Sequence, residues 1–171
     1  MRQVSARVAA AVVLTPLVVG GSTAASIARA RDALPTSTSH VRAALIEASA
    51  LTSCLQGSQD DLFTPSGATT AVSRRAAAAR LGSCDTDGFR RTAARLTVPR
   101  AAPLQAAQTL RRRAALARAV PLLQQAAADG GTARATGLGA GADAARFVVA
   151  YRSFEDAVQQ ASVLLATAEA G

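Results

Sequence analysis

From Phe147 to Ala168, apolar side chains return at alternating steps of four and three: Phe147, Tyr151, Phe154, Val158, Ala161, Leu165 and Ala168. Wound into an α-helix they form one heptad seam, with Arg152, Glu155, Asp156, Gln159 and Gln160 on the opposite face. A seam of this length leaves water only by lying against other helices, in its own bundle or across a homodimer. Phe147, Tyr151, Phe154, Val158 and Leu165 are therefore the expected packing residues. No segment alternates with period two for long enough to make a strand. The expected fold is all-α, most simply an antiparallel four-helix-type bundle.

The rest of the chain supplies the partners. Half of its 171 residues are hydrophobic but only 3% are aromatic, and alanine dominates, so the core must form by close approach of small side chains. Val41, Leu45, Ala48, Leu51 and Leu55 make a first helical stripe, with Thr38 or Ser39 as its cap. Thr64 and Pro65 read as the N-cap and first position of an alanine-rich helix carrying Val72 and Leu81, with Gly82 as its stop. Asp85, Thr86 or Asp87 caps a short helix with Phe89, Ala93 and Leu96 on one side, ended by Pro99. A longer helix after Pro103 carries Leu104, Ala107, Leu110, Ala114 and Ala117 on one face. Pro121 interrupts it, and the face shifts to Leu116, Val120, Leu123 and Ala127. Asp129 to Ala142 reads as a flexible linker by composition.

The amino-terminal end carries an address. Arg2 and Arg7 precede an apolar run from Val8 to Val19, about 12 residues, as in a secretory signal. Small residues then suit a cut after Ala24 or Ala25. The uncharged stretch from Val8 to Ala28 also approaches the ~20 residues of a membrane span, weakened by Pro16 and Gly20-Gly21. Residues 1–25 are thus expected to be a signal peptide or anchor, 26–40 a linker marked by the polar break Pro35 to Ser39, and 41–171 a single bundle domain. The protein is expected to be exported, either secreted or anchored to the outer face of the cytoplasmic membrane. In that compartment an even pair of cysteines, Cys54 and Cys84, reads as a disulfide. A ring of this size stabilises by roughly 3–4 kcal/mol in the loop-closure model.

All 19 basic residues are arginine, which a GC-rich genome by itself favours, but their placement is uneven. From Arg74 to Arg118 there are 11 Arg against Asp85 and Asp87, a balance of +9. In the last third, Arg134, Arg146 and Arg152 face five acids, a balance of −2. Arg90, Arg91, Arg95, Arg111, Arg112 and Arg113 are the candidate contacts for an anionic partner: an envelope protein, an acidic polymer or a lipid. Nucleic acid is disfavoured by export and because Phe89 is the block's sole aromatic for base stacking.

No acid, base and nucleophile form a catalytic set, so a non-enzymatic binding or interaction module is expected. His40 suits a capping or solvated role. Gly137, Gly139 and Gly141 have no preceding strand to make them a phosphate loop. One His and two distant Cys are too few for a metal, and no cofactor is expected. The order of an apolar segment, then AALIEASALTSCLQGSQDDL, then VVAYRSFEDAV resembles the extracytoplasmic helical-bundle input domains of bacterial nitrate-sensing and related receptors. The resemblance implies a membrane-anchored sensor-like bundle taking a small ligand between helices. The arginine usual in that family's first-helix motif has no counterpart here, so no ligand site is carried over.

Overall fold

The computed structural model describes residues 20–63, 71–101, 106–138 and 143–170, and every regular element among them is a helix. These are α1 (Gly20–Phe63), α2 (Ala71–Ser83), α3 (Thr86–Ala94), α4 (Ala107–Leu138) and α5 (Ala144–Ala170). The apolar run Val8 to Val19, the Thr64-Pro65 start, Leu104 and Gly139 to Gly141 lie outside the described residues.

The α5 seam is inside the bundle. Phe147, Phe154 and Ala161 have no exposed surface, Tyr151, Leu165 and Ala168 are buried, and Val158 is half-buried. What covers it is a matching seam on α4: Leu116, Ala119, Leu123, Ala126, Gly130, Ala133 and Gly137, all buried and spaced by threes and fours. Small residues at the far end of α4 face the aromatic end of α5, so two helices with unequal side chains close on one another. Ser153 Oγ bonds Asp129 Oδ2 at 2.7 Å across the pair, which runs antiparallel.

This pairing corrects the reading of Asp129 to Ala142 as a linker, because the chain is helical through Leu138. The glycines there are contact positions rather than breakers. A Cβ on Gly130 would lie 3.3 Å from Leu51 Cδ2, and one on Gly137 only 2.4 Å from Leu81 Cδ2. The register against α5 also overturns the face expected for the start of α4. Leu110, Ala114 and Ala117 are exposed, while Ala115 and Leu116 turn inward. An alanine-rich segment offers several equivalent stripes, and the partner helix selects one. Pro121 sits within α4 on an exposed position, so the helix continues through it and the missing N–H falls on the water side.

Helix α1 buries Val41, Ala44, Ala48, Leu51 and Leu55. Thr38 and Ser39 do not cap its start. They lie inside it, their hydroxyls donating to the carbonyls of Leu34 and Pro35, both at 3.0 Å. A hydroxyl bonded back to the preceding turn lets the polar break from Pro35 to Ser39 remain helical. Two pairs fix α1 antiparallel to α5: the Phe63 and Phe147 rings at 5.3 Å, and Arg42 with Glu169 at 2.6 Å.

Helices α2 and α3 run back along α1 as two short limbs joined by an elbow. Cys84 forms that elbow and is bridged to Cys54 of α1, with a Cα separation of 5.8 Å. Asp85 caps α3, its carboxylate accepting from Gly88 N at 2.7 Å. Phe89, Ala93 and Leu96 are buried, as their spacing predicts. Ring contacts run Phe63–Phe147–Tyr151–Phe154–Phe89, with centroids 5.3 to 6.5 Å apart. These four Phe and one Tyr are all the aromatic residues of the chain.

Candidate functional site

Four segments meet at one end of the bundle: α1 around Leu34 to Arg42, the first turns of α4, the last turn of α5, and the extended stretch from Leu96 to Arg100. Leu34, Pro35, Thr38, Arg42, Arg112 and Glu169 line a groove of about 530 Å³ on one side. On another side Ser37 and His40 face Thr97, Val98 and Pro99 across a groove of about 470 Å³. His40 is exposed, within α1 rather than at a helix start. The Arg113 guanidinium donates to the Pro99 carbonyl and so fastens the extended stretch to α4.

Charge collects here. Arg42, Arg100, Arg111, Arg112 and Arg113 are opposed at this end by Glu169 alone, a balance of +4. Around the middle, Arg90, Arg91, Arg95 and Arg118 face Glu47, Asp85 and Asp87, a balance of +1, with the Ala93 carbonyl beside Arg95 accepting from Gln124 of α4 at 3.4 Å. In the far half, Arg74, Arg75, Arg80, Arg134, Arg146 and Arg152 balance Asp60, Asp61, Asp129, Asp143, Glu155 and Asp156. Four of the five net positive charges of the described side chains therefore sit at one end. No family model, curated protein or solved structure matches the chain. The charge arrangement must be read on its own chemistry.

Of the six arginines singled out in the sequence, the fold gathers Arg111, Arg112 and Arg113. It leaves Arg90 and Arg91 on the exposed face of α3 and Arg95 at its C-cap, and Arg90 pairs with Asp87 at 2.8 Å. It adds Arg42 and Arg100, which the sequence reading missed. Arg42 is more than thirty positions from the basic block and reaches this end only because α1 and α4 run parallel. Pro35 and Leu110 are exposed among the arginines, so the end is basic with apolar points.

The other polar contacts hold helices together. Arg134, within the stretch expected to be a linker, donates to the Gly82 carbonyl at 2.6 Å and approaches Thr86 Oγ1 at 3.5 Å and Asp87 Oδ2 at 3.8 Å. It thereby closes the elbow from the side opposite the disulfide. Tyr151 donates to Glu155 Oε1 at 2.7 Å. Burial, then that bond and the nearby charges of Glu155 and Asp60, push the phenol well above its ordinary value. Among the described residues no cluster of His, Cys, Asp and Glu could hold a metal ion, and no helix is long and apolar enough to cross a membrane.

Proposed function

We propose that this protein is a non-enzymatic interaction module of the bacterial cell envelope. In this reading it is an antiparallel four-helix-type bundle in which α2 and α3 form a bent fourth column, and residues 1–25 direct export. The observation that carries the reading is the Cys54–Cys84 pair, whose geometry suits a disulfide between α1 and the elbow. Structural disulfides persist in oxidising compartments and are rare in the reducing cytosol. The intended partner is anionic, since most of the net charge is displayed on an exposed end.

The test is intact mass and N-terminal sequencing of native protein, recovered separately from medium and membrane, with non-reducing peptide mapping. The reading expects extracytoplasmic protein carrying the Cys54–Cys84 bridge. Two free thiols in protein from outside the cell would refute it.

One observation favours a second reading, a membrane-anchored sensor-like bundle that takes a small ligand between helices. Helix α1 runs unbroken from Gly20 into the core, so a retained apolar segment would be joined to the bundle by one helix. An intact amino terminus in the membrane fraction, with a thermal shift on adding small anions, supports this reading. A processed, shed protein that shows no shift excludes it.

A further inference from the structure

We propose that the basic end of the bundle docks onto a bilayer surface rich in anionic headgroups, which names the partner of the interaction module and rests on that reading. The first ground is the distribution of charge. A net +8 chain with scattered arginines would attract anions from every side, but here the described far half is neutral, the middle carries +1 and one end carries +4. Such a molecule has an electrostatic direction, and it approaches an anionic surface end-on.

The second ground is shape. Arg42 and Arg112 share one groove, whereas Arg113 lies against Pro99, beside Arg100, on a different side of the end. A linear acidic polymer lying in one groove engages one of these groups at a time. A sheet of headgroups engages both together. Exposed Pro35 and Leu110 stand among the arginines and can enter the boundary between headgroups and acyl chains, where apolar side chains and guanidinium groups are both favoured.

The experiment uses the full chain and vesicles of phosphatidylcholine with or without phosphatidylglycerol, read by co-flotation. Binding to neutral vesicles reports the apolar amino-terminal segment, and the excess on anionic vesicles reports the basic end. The triple variant R100Q/R111Q/R112Q is compared with R75Q/R146Q/R152Q, which removes the same charge from the far half, with circular dichroism confirming that both fold. The proposal expects the first to lose the anionic excess by roughly a hundredfold, the combined effect of removing three surface-proximal charges. The second should stay within about twofold, and added salt should abolish the excess. Equal losses in the two variants, no loss in the first, or no anionic excess at all would overturn it. So would binding to a soluble acidic polymer, lost in the same variant, without binding to vesicles. Failure of these arms with the disulfide and export intact removes the lipid partner alone; free thiols in exported protein remove the envelope reading whatever the vesicles show.

Discussion

Replacing single glycines of α4 with alanine tests whether the end of that helix is packed as described. A Cβ on Gly131 meets nothing within 4 Å, whereas one on Gly137 comes 2.4 Å from Leu81 Cδ2 and 3.1 Å from Phe147 Cδ2. Leu81 and Phe147 are both fully buried, so neither can swing into water to make room. Gly130 is intermediate, with Leu51 at 3.3 Å and Phe154 at 3.4 Å from the added carbon. In a helix interior, alanine gains about 1 kcal/mol over glycine. Gly131→Ala should keep that gain. In Gly137→Ala it is set against overpacking of about 1–3 kcal/mol, leaving the variant between neutral and about 2 kcal/mol less stable. The two variants should therefore differ by about 1–3 kcal/mol, with Gly130→Ala between them. Equilibrium urea unfolding followed by far-UV circular dichroism resolves this, and each kcal/mol corresponds to about 2–4 °C in Tm for a chain of this size. Equal stabilisation of Gly131→Ala and Gly137→Ala would refute the close approach of α4 to Leu81 and Phe147. No effect from either would mean that residues 129–138 are not helical.

Three further perturbations address the elbow and the aromatic chain. Removing the bridge with Cys54→Ser and Cys84→Ser should cost roughly 3–4 kcal/mol. Hydrogen exchange should then show amides of α2 and α3 losing protection before those of the α4–α5 pair; uniform loss would contradict the separate attachment of the two limbs. Arg134→Gln should cost about 1–3 kcal/mol by leaving the Gly82 carbonyl without its donor. Arg111→Gln, on an exposed position, should stay within about 0.5 kcal/mol, and a reversed order in urea midpoints would count against the clamp. Tyr151 should still be protonated near pH 10, where a free phenol is half ionised, and Glu155→Gln should lower its titration, both read by ultraviolet absorbance. Because the folded-state pKa is raised, this group's stabilisation is complete below the ordinary phenol value and is lost as the pH climbs above it.

The fold class was legible because the strongest signal, the α5 heptad, comes from large side chains. Phe147, Tyr151 and Phe154 cannot be exposed without cost, so their spacing alone requires a covering partner. The α1 stripe and the N-cap of α3 were legible for the same reason: Leu51, Leu55, Phe89 and Asp85 each have one good environment, whereas α3 ends at Ala94 rather than at Pro99. The partner seam on α4 was not. Ala126, Gly130, Ala133 and Gly137 fit a heptad as well as any residues do, but their chemistry is also that of a turn or linker. Only the opposing aromatic side chains, brought close by the hairpin, separate a glycine that breaks a helix from one that lets another helix approach. Thr38 and Ser39 pose the same ambiguity, since the hydroxyls that cap a helix start also bond back to the preceding turn within one.

The candidate site exposes a different limit. Arg111, Arg112 and Arg113 are consecutive, so a reading of the basic block finds them, but it takes Arg90, Arg91 and Arg95 as well and omits Arg42 and Arg100. What sorts them is register. Helix α3 ends at Ala94, so Arg100 travels on past the middle of the bundle, while Arg90, Arg91 and Arg95 stay with α3 and its acids Asp85 and Asp87. Helix α1 runs parallel to α4, so Arg42 arrives level with Arg112 and pairs with Glu169 from the last turn of α5. A chain can hold a nearly balanced body and a charged end with no charged segment to announce them. A count along the sequence gives a middle of +9 and a last third of −2; in the fold, many of those charges cancel between neighbouring helices and the remainder is directional. That direction, rather than the high pI, is the property that a docking function requires.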